Sequence, residues 1–148
     1  MTNNNWYDEI EEKKEMRVYI ATRLVRAAEH NLLRDALIRE GHEVTYDWTV
    51  HCSVKNDGED RLSKVADDEA AGVTEADLVV VLLPGGRGTH CELGMAVGAG
   101  VPLIIHNEGG ELFQSDDKTC AFYWHNTCEQ HTGTLEELIE YVLQYPNR

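Results

Sequence analysis

The chain has 148 residues, a length that suits one domain with a sizeable hydrophobic core. Its 13 basic and 27 acidic residues give a net charge of −14, which argues against binding of a nucleic acid polymer through its phosphates. A small anionic ligand is compatible with this charge, because a few local arginines can hold one phosphate. No stretch approaches the roughly 18 apolar residues of a membrane span, so no membrane association is expected.

The chain termini and the cysteines bear on domain organisation and location. Residues 1–15 are polar and acidic, and we expect a tail or a loose helix there, with one domain over 16–148. The four cysteines form no CxxC pair and the first residues resemble no secretory signal, which is typical of free thiols in a reducing cytoplasm. Cys91 and Cys120 lie among apolar residues and are expected to fill the core.

Hydrophobic periodicity predicts strands that alternate with helices along the chain. The strands are expected at 16–21, 42–48, 77–83, 101–107 and 119–125. The helices are expected at 24–40, 61–75, 88–100 and 133–145. The apolar run "DLVVVLL" suits a central parallel strand that is covered on both faces, whereas "HEVTYDW" alternates like a half-buried strand.

This alternation predicts an α/β fold, a flavodoxin-like or Rossmann-like three-layer sandwich around a parallel sheet of about five strands. The expected strand order is 2-1-3-4-5, and ligands then bind outside the carboxyl ends of the strands, near the switch between strands 1 and 3. Three segments should line that crevice: 21–26, the residues from Trp48 onward, and 84–92.

A glycine-rich loop, "PGGRG", follows the third strand and precedes a helix. Glycines let the backbone approach an anion, and a helix N-terminus offers free N–H groups and the positive end of a dipole. The loop lacks the third glycine of a dinucleotide fingerprint and the Gly-Lys-Ser/Thr of a phosphate-binding P-loop. It therefore indicates an anion cradle of no specific class.

Glu92, in the segment "THCELG", has two interpretations. In the first, Thr89 caps the helix and Glu92 completes a capping box by reaching back to the cap N–H. In the second, Glu92 is a carboxylate in the first helical turn beside the crevice, kept ionised by the helix dipole as a nucleophile requires.

Three segments in order, "VYIAT", "EAAGVTEADLVVVLL" and "GGRGTHCELGMAVGAGVPLII", resemble the nucleoside 2-deoxyribosyltransferase family, which includes relatives that hydrolyse nucleoside 5'-monophosphates. The resemblance covers about residues 16–106, and the Glu-Leu-Gly after the glycine-rich loop is its most specific part. The C-terminal region is only loosely similar.

The resemblance implies catalytic roles for particular residues. Glu92 corresponds to the nucleophile that attacks the anomeric carbon, and Tyr19 to the tyrosine that orients it. The family's second acidic residue lies eight positions before the Asp of the "AD" that opens strand 3, which gives Glu69 when counted back from Asp77. The family usually has Asp at this position, so the neighbouring Asp68 is the alternative. The alternative interpretation of Glu69 and Asp68 is that both acidic residues belong to a solvated helix face and have no catalytic role.

Further residues are candidates for substrate binding. Arg23, Arg26 or Arg87 could hold a 5'-phosphate together with the loop residues Gly86, Gly88 and Thr89, although each arginine also fits a solvated surface position. Trp48 could stack on a base or could pack at the edge of the core. The triplet His125, Cys128 and His131 lacks a fourth ligand and a known ligand pattern, so neither a metal nor another cofactor is expected.

Together these features predict an enzyme that cleaves the N-glycosidic bond of a nucleoside or nucleotide through a glycosyl–Glu92 intermediate and passes the sugar to water or to another base. The resemblance also implies a homo-oligomer, since family members commonly complete their sites across subunit contacts. The alternative function is a non-catalytic nucleotide-binding module in which Glu92 is only a helix cap.

Overall fold

A computed structural model describes residues 14–147 and contains a five-stranded, fully parallel sheet with the order β2-β1-β3-β4-β5. The strands are β1 Arg17–Ala21, β2 Glu43–Val44, β3 Leu78–Leu82, β4 Leu103–His106 and β5 Cys128–His131. The helices are α1 Ala27–Arg39, α2 Glu59–Thr74, α3 Arg87–Ala99 and α4 Leu135–Leu143. The predicted α/β class, flavodoxin-like three-layer architecture and strand order are confirmed.

Each face of the sheet is buried against two helices, because successive side chains of a strand point to opposite sides. Tyr19, Val79 and Ile105 belong to the core that includes Val73 of α2 and Leu93 of α3. The alternate strand residues pack with α1 and α4 in a second core; its central members are Val18, Ile20, Val80, Ile104, Leu33, Leu37, Leu138 and Val142. All of β3 is buried, as its unbroken apolar run predicts.

The second strand is shorter than predicted, since β2 covers two residues and Trp48 begins a 3₁₀ turn at Trp48–Val50. The Asp47 carboxylate accepts from the Thr49 N–H at 2.9 Å, and the Trp48 indole N–H donates to the Ile20 carbonyl at 3.0 Å. These two hydrogen bonds turn the chain across the end of β1, so the alternating pattern of 42–48 does not continue as a strand.

The prediction of a last strand at 119–125 is wrong. Residues Ala121–Trp124 form a 3₁₀ turn, and the edge strand β5 follows at Cys128–His131. The only deeply buried side chain of that turn is Tyr123, whose hydroxyl lies 2.7 Å from His90 Nε2 of α3. An edge strand of polar residues gives little apolar alternation, which is why the aromatic turn was the stronger sequence signal.

Some other expectations are resolved or fall outside the described residues. Cys91 is exposed on α3, so the expectation that it fills the core is wrong, and Cys120 is half-buried. The expected tail or loose helix at 1–15 lies mostly in residues 1–13, which the structure does not describe. Between residues 14 and 147, none of the helices combines the length and apolar character that crossing a membrane requires.

Candidate active site

A cavity of about 600 Å³ opens at the carboxyl ends of β1 and β3, between the loop after β2, helix α2 and the start of α3. The three segments that the sequence places at the crevice all line it. The predicted site residues that it brings together are Arg23, Trp48, Glu69, Gly86, Arg87, Gly88, Thr89 and Glu92. Tyr19 lies beneath the cavity in the core, and Asp68 is not part of the lining.

Helix α3 begins earlier than predicted, and this changes the position of Glu92. Gly86 is the N-cap residue, with an extended backbone, and Arg87 is the first helical residue. The Thr89 hydroxyl accepts a hydrogen bond from the Gly86 N–H at 3.1 Å, so Thr89 stands in the first turn and not at the cap. The predicted Thr89–Glu92 capping box is therefore wrong. Glu92 lies in the second turn and faces the cavity.

The Glu92 side chain is almost completely buried, and its residue is 8% exposed. Burial raises its pKa to about 8 from the usual 4.5, and the nearby charge of Glu69 acts in the same direction. The Tyr19 hydroxyl lowers the pKa of Glu92 by a smaller amount. Burial and the second carboxyl therefore act against the helix dipole, which was expected to keep Glu92 ionised.

Tyr19 lies on β1 and is fully buried, with its ring against α2. Burial raises the pKa of its hydroxyl, and the adjacent Glu92 carboxyl raises that pKa further. The hydroxyl makes no hydrogen bond of good geometry to the described residues, although it lies close enough to Glu92 for each to shift the other's pKa. This phenol is therefore placed to donate to Glu92 after a small movement of either side chain.

Glu69 and Asp68 are adjacent on α2 but lie in different surroundings. Consecutive side chains on an α-helix point about 100° apart around the helix axis, so the two carboxyls do not face the same way. Glu69 is half-buried in the cavity wall, and burial raises its pKa. Asp68 forms an ion pair with Lys64 at 3.1 Å on the outer part of the helix. The structure therefore places Glu69, and not Asp68, in the same cavity as Glu92. This agrees with the count of eight positions back from Asp77.

Part of the cavity wall has features that favour an anion. The N-terminus of α3 lines it, with Gly86 at the helix cap, Gly88 in the first turn and the exposed residues Arg23 and Arg87 beside them. Within residues 14–147 neither arginine is in an ion pair. An N-terminal helix turn flanked by two unpaired guanidinium groups is a favourable environment for a phosphate.

The tight turn before α3 depends on Gly85. A Cβ atom at this position would lie 2.5 Å from Thr89 Cγ2, which no side chain could tolerate. Glycine here lets the buried Thr89 fold back over the loop and hold the Gly86 N–H. The "GG" of the sequence thus shapes the loop for a structural reason as well as for backbone access to a ligand.

Trp48 is 7% exposed, and its single N–H is used by the Ile20 carbonyl. The edge of its indole packs against the buried His30 ring, with the ring centroids 5.0 Å apart. The same side chain lines the cavity. Trp48 is therefore a core residue at the edge of the cavity, and its stacking on a base stays a prediction.

Arg26 and the triplet His125, Cys128 and His131 lie outside this cavity. Arg26 does not line the cavity, and its charge acts on His106 at the end of β4. His131 Nδ1 lies 2.9 Å from His106 Nδ1, while His125 bonds Thr127. The part of the chain that the structure describes holds no group of three or more His, Cys, Asp or Glu arranged to bind a metal.

Several cavity residues were not named individually in the sequence analysis. His51, Cys52, Ser53 and Lys55 come from the loop after β2, and Leu62, Val65 and Ala66 come from α2. The loop belongs to the segment from Trp48 onward that was expected at the crevice, by the rule that loops at the carboxyl ends of strands carry ligand sites. Its residues follow no periodic pattern that could single out particular side chains.

The fold and this carboxylate-lined crevice define an α/β protein with a cavity at the topological switch point. No family model and no curated protein matches the chain by sequence. Two of the solved structures that share the fold are described here. The Clostridium botulinum CMP N-glycosidase BcmB gives a TM-score of 0.60 at 16% identity, over 85% of this chain and 97% of that one.

The second similar structure is a conserved protein from Enterococcus faecalis V583. It gives a TM-score of 0.51 at 17% identity and covers 89% of this chain and 99% of that chain. At these identities the two matches establish a shared fold over nearly the whole length of both proteins. The first of them agrees, at the level of the fold, with the resemblance to nucleoside 2-deoxyribosyltransferases and their monophosphate-hydrolysing relatives.

Proposed function

We propose that the protein cleaves the N-glycosidic bond of a nucleoside 5'-monophosphate, or of a nucleoside, through a covalent glycosyl–Glu92 intermediate. The observation that carries this proposal is that Glu92 and Glu69 line one cavity together with Arg23, Arg87 and the N-terminus of α3, which we interpret as the anion cradle. A buried pair of carboxyls suits cleavage through an oxocarbenium-like transition state. The cradle suits the phosphate of the same substrate.

In the first step, a Glu92 oxygen forms a bond to the anomeric carbon while the bond from that carbon to the base nitrogen breaks. Glu69 gives its proton to the leaving nitrogen and becomes a carboxylate. In the second step, the Glu69 carboxylate takes a proton from water or from an acceptor base, which attacks the anomeric carbon and releases Glu92. Tyr19 orients the Glu92 carboxyl by hydrogen bonding to the oxygen that does not react.

The two carboxyls titrate as a coupled pair. Burial and the charge of Glu69 raise the pKa of Glu92 to about 8, and burial raises the pKa of Glu69. The first step needs the form in which the Glu92 carboxylate lies beside a protonated Glu69. When the proton is on Glu69, the repulsion that disfavours ionised Glu92 is removed.

The similar structure supports the class of reaction. A CMP N-glycosidase shares the fold, and the sequence resemblance independently points to enzymes that act on the same bond. Water as the acceptor would make the protein a hydrolase, and a second base would make it a transferase. We further propose that the protein acts in the cytoplasm, as a homo-oligomer, without a cofactor.

The alternative function is a non-catalytic nucleotide-binding module, and it was stated with Glu92 as a helix cap. Gly86 caps α3 and Glu92 lines the cavity, which favours the catalytic proposal over this alternative.

The proposal is tested by incubating the purified protein with a panel of nucleosides and their 5'-monophosphates, CMP included, and measuring free base by chromatography. Release of base from at least one compound is the expected result. Parallel reactions with a second base added distinguish transfer from hydrolysis, because a transferase without an acceptor releases at most about one equivalent of base per enzyme and turns over repeatedly only when an acceptor base is present. No release from any member of the panel, with or without acceptor, contradicts the proposal.

A further inference from the structure

The side chain of His90 is hydrogen-bonded to the backbone of the glycine loop and has no role in the steps above. Its Nδ1 lies 2.7 Å from the Gly86 carbonyl oxygen, and its Nε2 lies 2.7 Å from the Tyr123 hydroxyl. His90 is half-buried and is not part of the cavity lining, whereas Gly86 belongs to that lining. His90 therefore acts on a ligand in the cavity only through the loop that it holds.

The partners of His90 determine where its hydrogen lies. A carbonyl oxygen can only accept a hydrogen bond, so Nδ1 carries a hydrogen and donates it to Gly86. In the neutral imidazole Nε2 is then an acceptor, and the Tyr123 hydroxyl donates to it. The two hydrogen bonds thus run in one direction, from Tyr123 through the imidazole to the loop, and they select one tautomer of the ring.

Tyr123 can hold the imidazole because it is itself fixed on all sides. The residue is 3% exposed, and its ring meets Phe113 edge to face with the ring centroids 5.9 Å apart. Its carbonyl oxygen accepts a hydrogen bond of 3.1 Å from the side-chain amide of Gln130, on β5. The aromatic turn at 121–124 therefore connects the edge of the sheet, through His90, with the loop beside the cavity.

The hydrogen bonds at Gly86 fix the peptide group that opens α3. The Gly86 carbonyl accepts from the His90 backbone N–H at 3.2 Å as well as from Nδ1. This carbonyl and the Arg87 N–H belong to one planar trans peptide, in which they point in opposite directions. Because the carbonyl is drawn back along the helix, the Arg87 N–H points out of the helix N-terminus, where the first N–H groups have no intrahelical acceptor.

Two features suit this N–H to an anion. Gly86 and Arg87 both line the cavity, and the exposed residue Arg23 lies in the same lining, so positive charge accompanies the N–H. A donor on the Gly86 carbonyl also polarises the peptide and strengthens the N–H on its other side, since linked hydrogen bonds reinforce one another. Loss of the His90 donor should therefore weaken binding of an anion without removing any group that touches it.

We propose that His90, held by Tyr123, is a positioning residue that directs the Arg87 N–H at the phosphate of a nucleoside 5'-monophosphate. This inference rests on the proposed function for the identity of the ligand. His90 transfers no proton and keeps its Nδ1 hydrogen throughout. Its effect is on the affinity for the phosphate and not on the cleavage of the glycosidic bond.

Three variants separate the hydrogen bonds of this chain. His90→Phe keeps a planar ring and removes both nitrogens, whereas His90→Asn places an amide N–H near the position of Nδ1 and keeps the donor to Gly86. Phe, Asn and His have similar helix propensities, so neither change weakens α3 by itself. Tyr123→Phe removes only the hydroxyl.

His42→Phe is the matched control. His42 is also half-buried, and its Nδ1 accepts a hydrogen bond of 3.0 Å from the Met16 backbone N–H. Met16 and His42 precede β1 and β2, so they lie at the amino ends of the strands, opposite to the cavity. The control thus loses a comparable contact of a histidine with the backbone, away from any ligand.

Inorganic phosphate is the first probe, and its binding is followed by proton–nitrogen NMR at the Arg87 amide. In the wild type this signal is expected to shift until phosphate saturates the site. In His90→Phe the dissociation constant should rise about three- to tenfold, the range that one hydrogen bond supports, while His90→Asn and His42→Phe stay within about twofold of the wild type. Tyr123→Phe should give a smaller loss in the same direction, and it carries the test if His90→Phe does not fold.

Base release gives the second readout. In His90→Phe the KM for the best monophosphate of the panel should rise with little change in kcat, and the kinetics with the corresponding nucleoside should equal those of the wild type. A merely structural role would lower the turnover of both substrates alike, and that result overturns the inference.

The phosphate titration separates this inference from the proposed function. An Arg87 signal that does not respond to phosphate in the wild type overturns the inference, whether or not base is released. Equal affinity in the wild type and in His90→Phe, or in Tyr123→Phe where His90→Phe does not fold, overturns it as well. Affinity that is lost in His90→Phe and kept in His90→Asn supports it, even if no compound of the panel releases base.

Discussion

Glu69 of α2 and Glu92 of α3 face one cavity, and the charge on Glu69 helps burial to raise the pKa of Glu92 to about 8. The two carboxyls come from different helices and are brought together where α2 and α3 pack on the same face of the sheet. This pairing makes each carboxyl sensitive to the protonation state of the other, and it leads to the first three predictions below.

Replacing the proposed nucleophile should separate folding from chemistry. In Glu92→Gln the amide can neither attack the anomeric carbon nor stabilise positive charge, so base release should fall about a thousandfold or more, as for other enzyme nucleophiles. Glu136→Gln, an exposed change in the first turn of α4, should keep wild-type turnover. A 2-fluoro sugar analogue should leave a covalent adduct on Glu92 that mass spectrometry detects. Full turnover by folded Glu92→Gln would rule out this role.

The same residue predicts how stability changes with pH. A carboxyl whose pKa rises on folding binds its proton more tightly in the folded state, so its ionisation destabilises the fold as pH increases. With a folded pKa of about 8 against the usual 4.5, the free energy of unfolding of the wild type, relative to Glu92→Gln, should fall between about pH 5 and pH 8 and then level off. The slope is at most about 1.4 kcal/mol per pH unit for one proton. Urea denaturation at several pH values measures it, and a difference that is flat with pH would contradict the pKa assignment.

Glu69 and Asp68 provide a matched pair of neighbours. Glu69→Gln removes the proposed acid and should lower base release by about a hundredfold or more, the usual contribution of a general acid. Asp68→Asn breaks only the exposed ion pair with Lys64 and should change turnover by less than about twofold. Steady-state kinetics on the best substrate of the panel decides between them. If Asp68→Asn is the inactive variant, the register assigned to α2 is wrong.

The anion cradle predicts a preference for monophosphates over nucleosides. Arg23→Ala and Arg87→Ala should each raise KM for the monophosphate while leaving the reaction of the nucleoside nearly unchanged, because a nucleoside has no phosphate for either guanidinium to hold. A loss of about tenfold in kcat/KM corresponds to about 1.4 kcal/mol of binding. Arg39→Ala, an exposed change in the last turn of α1, is the control. Equal kcat/KM for both substrate types, unaffected by either variant, would remove the phosphate site.

Gly72 predicts a packing effect that is independent of the function. A Cβ there would lie 2.9 Å from Tyr46 Cβ and 3.1 Å from Tyr19 Cδ2, so Gly72→Ala should lower the free energy of unfolding by about 1–3 kcal/mol. At Gly98, on the exposed side of α3, a Cβ meets nothing within 4 Å. Gly98→Ala should therefore be neutral or stabilising by up to about 1 kcal/mol. Urea denaturation compares the two, and a Gly72→Ala protein as stable as the wild type would show that Tyr46 and Tyr19 can move aside.

The sequence by itself determined the architecture and the region of the site. Strand and helix periods depend on residues a few positions apart, so the alternation of elements, the central β3 and the strand order could be inferred from pattern alone. The glycine loop after β3 and the spacing of Glu69 from Asp77 then placed the candidate residues at the correct edge of the sheet.

What the sequence did not determine depends on contacts between distant parts of the chain. The Trp48 turn requires a hydrogen bond from its indole N–H to the carbonyl oxygen of Ile20, 28 positions away. The ionisation of Glu92 is set by its burial and by Glu69, a residue of another helix. Burial and electrostatic coupling exist only once the helices have packed, so only the tertiary structure decided that Glu92 is a buried carboxyl facing a second one and not a helix cap.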